Sequence, residues 1–178
     1  MQIAGLLHDL GHGPFSHLWD SIVCTSDPDW SHEEQSKNMV HSLVENNNIR
    51  LADTEASHRD SLELITALIT GNSQVWRKHL TRKFYFLAEI VNNKYCHIDV
   101  DKWDYLLRDA YYLRNHIQIK DFSGLFETAK VVYVDGDDGS HIGYRSEDFW
   151  MIENLFENRK LMHMEIYQNT AVIGCEKM

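Results

Sequence analysis

The sequence predicts a mainly helical protein with one small β-hairpin. Apolar residues recur at spacings of three and four along most of its 178 residues, as on one face of an α-helix. Helix-starting patterns occur at Ser31 and Ser146. A single run, 131–134, has the composition of a convincing strand, and the turn at 135–139 lets residues 141–145 return as its partner. The fold class is therefore mainly α.

Each helix is predicted from its own pattern of apolar and capping residues. Ser31 and Glu34 form a capping box, and Asp60 with Glu63 has the spacing of another helix start. Residues 72–82 are polar and poorly periodic, so no regular element is predicted there. We predict helices that end near Gly11, cover 15–23, run from 31 to the asparagines at 46–48, run from 60 to 71, cover 84–91 and 99–113, and extend from 146 onward.

Composition narrows the classes of function. The net charge of −10 argues against a generally basic nucleic-acid surface. The three cysteines, Cys24, Cys96 and Cys175, are widely spaced and match neither a zinc-finger nor a disulfide pattern, which indicates a reducing compartment. No apolar run approaches the roughly 20 residues of a membrane span, and no signal peptide is visible. We therefore expect an intracellular protein without a membrane partner.

The most informative stretch is the string from His8 to His17. It contains three histidines and one aspartate, separated by two glycines and a proline. Imidazole and carboxylate ligands together suit divalent ions such as Fe, Mn, Ni, Co or Zn. The alternative is a histidine-rich helix end with solvated side chains. The density of the full string favours a metal-centred site.

A second polar stripe lies on the helix predicted over 99–113. Asp101, Lys102, Tyr105 and Asp109 fall within an arc of about 100° on that helix. Considered alone, the stripe is an exposed face with intrahelical ion pairs. Considered with the histidine string, Asp101 supplies a distal carboxylate ligand, and Lys102 supplies a cation. A metal, several histidines and basic side chains, which include Arg159, together suit hydrolysis of a phosphate ester.

Three blocks of the sequence carry a family resemblance. The string from Ala4 to His17, with His8-Asp9 as the namesake doublet, resembles the HD phosphohydrolases. Within them it is similar to the deoxynucleoside triphosphate triphosphohydrolases, in particular the eukaryotic enzymes that combine a SAM and an HD domain. The block 98–105 and a weaker block formed by Arg159, His163, Tyr167 and Gln168 match in the same order. The resemblance implies an HD-domain helical fold, and residues 1–178 look like a partial HD domain. We expect this part to lack the upstream first metal-ligand helix, the SAM domain and the C-terminal lobe.

The resemblance also implies a reaction and a set of residue roles. The reaction is metal-dependent hydrolysis of dNTPs, dGTP among them, to a deoxynucleoside and inorganic triphosphate, in control of the dNTP pool. One divalent ion (Fe, Mn, Zn, Ni, Co or Mg) is held by His8, Asp9 and Asp101. The catalytic residues around the α-phosphate are His12, His17 and His32, with Asp20 as the supporting carboxylate and His17 as the acid for the leaving oxygen. The substrate contacts are Lys102 and Arg159 for the phosphates, Tyr105, Asp109 and Tyr167 for the sugar, and Gln168 for the base.

Other interpretations stay open at this point. The chain is alternatively another HD nucleotidase or phosphodiesterase, or a nucleotide-binding or interaction form with weak or no catalysis. His32 alone is equally well explained as a capping-turn residue, and His163 is better explained by packing. The resemblance further implies the nucleus or cytoplasm as location, a homo-oligomer (dimer or tetramer), and weak binding of single-stranded nucleic acid.

Overall fold

The computed structural model describes residues 1–113, 122–137 and 139–176, and these residues are mainly α-helical, as predicted. Their helices are α1 (Gln2–Leu7), α2 (His17–Val23), α3 (His32–Asn46), α4 (Glu55–Ile69), α5 (Ser73–His79), α6 (Phe86–Val91), α7 (Val100–Tyr112), α8 (Ser123–Thr128), α9 (Phe149–Met162) and α10 (Thr170–Glu176). Strands β1 (Lys130–Tyr133) and β2 (Ser140–Gly143) form one antiparallel pair. Within this described part, no helix is both long and apolar enough to cross a bilayer.

The chain divides into two compact units, and the first comprises residues 1–100 and 136–140. Its core is built from α1, α3, α4 and α6, and the buried members are Ala4, Val40, Val44, Leu62, Ile65, Leu68, Ile69, Ala88 and Val91. On α3, Val40 and Val44 enter this core, whereas Met39 and Leu43 stay about 40% exposed. This core provides the rigid base from which α3 and the end of α1 present their polar side chains.

Side-chain caps fix the starts of three helices in the first unit. Ser31 accepts a hydrogen bond from the backbone of Glu34 at 3.2 Å, which confirms the predicted start of α3. The prediction for α4 was wrong, because Thr54 caps this helix and Glu55 begins it, well before residue 60. The prediction of no element over 72–82 was also wrong, because Asn72 caps the short helix α5.

Helix α2 is shorter than the predicted helix over 15–23. It begins at His17, because Phe15 and Ser16 have φ values of 63° and 49°, which lie in the left-handed region. The Phe15 side chain is 85% exposed, so it does not contribute to the core. Two adjacent left-handed residues without a glycine are strained, and such strain is concentrated at functional sites.

The second unit comprises residues 101–135 and 141–178. Helix α7 buries Trp103 and Leu106, and the ring of Trp103 contacts those of Phe122 and Phe126, with centroids 5.5 and 4.6 Å away. Phe126 lies on α8, a short helix that the sequence pattern did not predict. The hairpin is confirmed, and both strands begin one residue before their predicted positions. Asp138 in the predicted turn lies outside the described residues.

The last predicted helix is interrupted twice in the structure. Ser146 begins a 3₁₀ turn (Ser146–Asp148), so the predicted cap at Ser146 was wrong, and Asp148 precedes the first residue of α9. At its other end α9 widens into a π-helical turn (His163–Tyr167). The backbone of Gln168 donates a 2.8 Å hydrogen bond to the carbonyl of His163, the i+5 bond that defines this geometry.

Candidate active site

The four predicted catalytic side chains meet in the first unit. His12 lies in the turn after α1, His17 and Asp20 lie on α2, and His32 is the first residue of α3. One nitrogen or oxygen from each of the four side chains lies within 4.8 Å of the others. The structure therefore brings together residues that are up to twenty positions apart in sequence. We call these four residues the histidine cluster.

Asp20 is the centre of the histidine cluster. Its Oδ2 lies 3.1 Å from Nδ1 of His32 and 3.3 Å from Nδ1 of His17, both at hydrogen-bond distance. Its Oδ1 lies 3.5 Å from Nδ1 of His12. Because a carboxylate only accepts hydrogen bonds, Asp20 selects the form of His17 and His32 that carries a proton on Nδ1. Their Nε2 atoms are then the ones that can exchange a proton with a substrate.

The rings of the cluster differ in exposure and in stacking. His12 and His32 stack with ring centroids 3.8 Å apart and an interplanar angle of 21°. Their side chains are 14% and 22% exposed, whereas that of His17 is 84% exposed. The stacked rings of His12 and His32 are thus mostly buried, whereas the His17 ring is exposed to solvent and accessible to a bound molecule.

Electrostatics hold Asp20 in its charged form. Burial raises the pKa of its carboxyl group, but the hydrogen bond with His17 and the charges of His12 and His32 outweigh that effect and lower the pKa below its ordinary value of 3.8. A carboxylate with a lowered pKa stabilises the fold above its ordinary pKa, and this contribution is lost as the pH falls through the folded-state value. Asp20 is therefore an anion at neutral pH and can stabilise a protonated histidine beside it.

A buried serine ties the histidine string to α3. The Oγ of Ser36 accepts a 2.8 Å hydrogen bond from the backbone N–H of Gly11 and donates a 2.6 Å hydrogen bond to the carbonyl of His8. Ser36 is fully buried. Satisfied buried hydrogen bonds of this kind fix the backbone, because leaving either group unpaired is costly. The positions of His8 and His12 relative to α3 depend on this contact.

Gly11 allows that close approach. A Cβ atom at this position would lie 2.1 Å from the carbonyl oxygen of His32 and 2.3 Å from the backbone nitrogen of Ser36. Both neighbours are backbone atoms of α3 and cannot move aside as a side chain can. The prediction that Gly11 ends the first helix was wrong, because α1 already ends at Leu7 and Gly11 has no positive φ; its role in the structure is this close approach to α3.

We expect Gly11→Ala to lower the free energy of unfolding by at least about 1–3 kcal/mol, as overpacking does elsewhere. Thermal and urea unfolding measure the loss. Gly174→Ala on α10 is the matched control, because a Cβ there meets nothing within 4 Å and alanine favours a helix more than glycine does. Equal unfolding midpoints for wild type and Gly11→Ala would contradict this packing.

The predicted metal ligands are distributed over the two units. In the first unit, Nε2 of His8 lies 3.2 Å from Oδ1 of Asp9, so the two neighbouring side chains converge in the turn that follows α1. Nδ1 of His8 hydrogen-bonds with the carbonyl oxygen of Gly5 at 2.7 Å, and this contact orients the ring. Asp101 lies in the first turn of α7, in the second unit. Its role as a third ligand stays a prediction.

The predicted substrate contacts form two hydrogen-bonded pairs in the second unit. Nε of Arg159 donates to the hydroxyl of Tyr105 at 3.1 Å, and the hydroxyl of Tyr167 donates to Oδ2 of Asp109 at 2.5 Å. The rings of Tyr105 and Tyr167 lie 6.4 Å apart. These four side chains, from α7, α9 and the π-helical turn, are therefore neighbours, which we call the tyrosine network.

The tyrosine network keeps the Tyr167 hydroxyl protonated. Burial, together with the hydrogen bond to Asp109 and the charge of that carboxylate, raises the pKa of Tyr167 far above its ordinary value. His163 packs edge-on against the Tyr167 ring at 5.1 Å, in line with the packing role favoured for it. Tyr167 is thus held from two sides as a neutral, oriented ring.

Two predicted contacts lie beside these pairs. Lys102 is on α7, in the same turn as Asp101. Gln168 directly follows the π-helical turn and has an exposed side chain, while its backbone closes that turn. The roles of both residues stay predictions. Ser36 is the site residue that the sequence analysis missed. A serine at four-residue spacing from the buried Val40 and Val44 is the signal that could have identified it.

The comparisons with known proteins support the resemblance noted in the sequence. No family model matches the chain. The chain is 35% identical over 180 residues to the "Deoxynucleoside triphosphate triphosphohydrolase SAMHD1 homolog" of Dictyostelium discoideum, covering 100% of the chain and 32% of that relative. It is 36% identical over 184 residues to "Deoxynucleoside triphosphate triphosphohydrolase SAMHD1" of Danio rerio, and 34% identical over 183 residues to that of Homo sapiens. These two alignments cover 95% of the chain and 29% and 28% of the relatives. The chain thus spans about a third of the length of the curated relatives it matches.

Proposed function

Because the chain is similar over its whole length to part of the SAMHD1-type deoxynucleoside triphosphate triphosphohydrolases, we propose that it hydrolyses dNTPs, dGTP among them. Water attacks the α-phosphorus, the bond from that phosphorus to the 5′-oxygen breaks, and the 5′-oxygen takes up a proton. The products are a deoxynucleoside and inorganic triphosphate. Such a reaction lowers the concentration of dNTPs, so its biological role is control of the dNTP pool.

The observation that carries the proposal is the histidine cluster arranged around one carboxylate. His12 and His32 form a stacked pair that can donate hydrogen bonds to the α-phosphate oxygens. His17 stands at the exposed edge with Nδ1 directed at Asp20, so its Nε2 can deliver a proton to the leaving 5′-oxygen. Asp20 stabilises the protonated ring before the transfer. In this proposal His17 transfers the proton directly to the 5′-oxygen, with no other side chain between them.

A divalent ion completes the proposed site. The two proposed ligands in the first unit fit such an ion, because Nε2 of His8 and Oδ1 of Asp9 lie 3.2 Å apart. We propose Asp101 as the third ligand. Nitrogen and oxygen donors together suit Fe, Mn, Co, Ni or Zn better than Mg. When bound, the ion polarises a phosphoryl oxygen or lowers the pKa of a water. The hydrogen bond between Nδ1 of His8 and the carbonyl oxygen of Gly5 orients the His8 ring for this role.

The second unit is proposed to bind the rest of the nucleotide. Arg159 uses its Nε for Tyr105, which orients the guanidinium group so that its terminal nitrogens can meet a phosphate. Lys102 adds a second cation for the triphosphate. Asp109 still has acceptor capacity beyond its bond to Tyr167 and can accept from a 3′-hydroxyl. The fixed ring of Tyr167 then crowds the position of a 2′-hydroxyl, which favours deoxyribose, and Gln168 lies toward the base.

We expect the purified protein, incubated with dGTP and Mn²⁺, to release deoxyguanosine and intact triphosphate in equal amounts. Chromatography of the nucleosides and phosphates measures both products. Removal of the metal with EDTA should stop the reaction, and GTP is the control substrate that should react more slowly. Release of dGMP with pyrophosphate, or of orthophosphate step by step, would show that a different bond is broken. Binding of dGTP without turnover would indicate a nucleotide-binding protein instead.

A further inference from the structure

The histidine cluster has the composition and spacing of a transition-metal site of its own. None of its four members belongs to the set His8, Asp9 and Asp101. Three imidazoles and one carboxylate are ligands that Zn²⁺ takes in four-coordinate sites. Bonds of about 2.0–2.2 Å at tetrahedral angles place neighbouring ligand atoms about 3.3–3.5 Å apart. The Nδ1 atoms of His32, His17 and His12 lie 3.1, 3.3 and 3.5 Å from the oxygens of Asp20.

A second observation concerns two buried atoms at the centre of the cluster. Nδ1 of His12 and Oδ1 of Asp20 are both inaccessible to solvent, and neither forms a hydrogen bond with any described residue. Buried polar atoms in native proteins nearly always have a partner, because an unpaired one loses its hydrogen bonds to water without replacement. These two atoms face each other at 3.5 Å, too poorly aligned to bond. An ion bound by both atoms would satisfy them together.

We propose that His12, His17, Asp20 and His32 bind one Zn²⁺ ion in a four-coordinate site separate from the ion at His8 and Asp9. Three nitrogen donors disfavour Mg²⁺ and Ca²⁺, which prefer oxygen ligands, so the site selects zinc-like ions. The stacked rings of His12 and His32 and the anchoring of Asp20 preorganise three of the ligands. His17 is the exposed ligand and closes the site last.

Zinc in this cluster would inhibit the reaction, a consequence that rests on the proposed function. A histidine whose Nδ1 ligates zinc cannot also be protonated on that nitrogen, so the charged imidazole that would protonate the leaving oxygen from Nε2 does not form. The ion would also occupy space beside the stacked rings of His12 and His32 that the α-phosphate needs. Zinc is then an inhibitor that competes with the nucleotide, whereas Mn²⁺ at the other site supports turnover.

The test is zinc and cobalt binding by the whole chain, without reference to activity. After dialysis against zinc, elemental analysis should find one equivalent that survives in Asp101→Ala and is lost in His12→Ala. Cobalt substitution should give the intense visible absorption of a tetrahedral site, and His32→Ala should abolish that spectrum. His17→Ala changes an exposed residue that the fold tolerates, and it should weaken zinc binding at least about 10-fold.

The chain offers a matched control in another group of the same residue types. Asp60, Glu63 and His79 also lie close enough to share an ion, but both of the carboxylates are exposed. His79→Ala should therefore leave the zinc content and the cobalt spectrum unchanged. The proposal is overturned if His12→Ala and His17→Ala keep full zinc affinity, or if the tight zinc is lost in His79→Ala or Asp101→Ala. A protein that binds zinc as described but hydrolyses no dNTP would retain this site and refute only the proposed function.

Discussion

His17→Ala is expected to lower the rate of dNTP hydrolysis by about 10²–10⁴-fold, which is the usual contribution of a general acid. The residue stands at the exposed edge of the histidine cluster, and its Nδ1 lies 3.3 Å from the Asp20 carboxylate. Its Nε2 is therefore directed away from Asp20 and can protonate a leaving oxygen. Because alanine removes the proton donor without touching His8 or Asp9, the manganese content should stay unchanged.

Single-turnover assays with enzyme in excess measure this loss, and the wild-type products should still form slowly. His41→Ala is the matched control, since it removes a histidine from the middle of α3, outside the cluster. It should leave the rate within a few-fold of wild type. A wild-type rate in His17→Ala would show that the proton comes from elsewhere. A proportional loss of manganese would show that His17 acts through the metal.

The density of polar residues made the first part of the site predictable from sequence. Three histidines within one short string, broken by Gly11 and Gly13, leave few ways for the side chains to diverge. The convergence of His12 and His17 was therefore expected. The central position of Asp20 was not, because its contact with His32 spans the loop between α2 and α3, whose path no local pattern specifies.

The tyrosine network shows why other parts were less predictable. The hydrogen bond from Tyr167 to Asp109 joins residues 58 positions apart, and that from Arg159 to Tyr105 joins residues 54 apart. Helical periodicity indicates which residues share a face of one helix, but it does not indicate which faces of different helices pack together. The π-helical turn (His163–Tyr167) changes the rotation per residue at the end of α9, and no sequence pattern indicated where this change would occur.

Errors in helix boundaries have a local physical cause. The pattern at Asp60 has the spacing of a helix start, yet α4 is already helical there because Thr54 provides an earlier cap. Helix α5 was missed since its seven residues are too few to show a period. Its stability comes instead from Trp76, which packs on the core of the first unit. A local cap therefore sets the start of α4, whereas a tertiary contact accounts for α5.

Asp20→Asn is expected to reduce kcat by about 10²–10⁴-fold while changing KM little. Asparagine preserves the shape of the side chain, but it carries no negative charge, and only one of its two polar atoms can accept an Nδ1 proton. The amide therefore cannot stabilise the charged imidazole as the carboxylate does. The same exchange beside the histidine of serine proteases costs about 10⁴-fold with intact geometry.

Steady-state kinetics of Asp20→Asn beside Asp27→Asn decide the role of this carboxylate. Asp27 is exposed in the loop between α2 and α3, so its amide variant should behave as wild type. A role in positioning predicts a fall in kcat at nearly constant KM, because the stacked rings of His12 and His32 still receive the substrate. A merely structural role predicts instead a lower unfolding midpoint with kcat and KM both altered. If kcat in Asp20→Asn equals that of Asp27→Asn, the three histidines do not depend on the carboxylate that joins them.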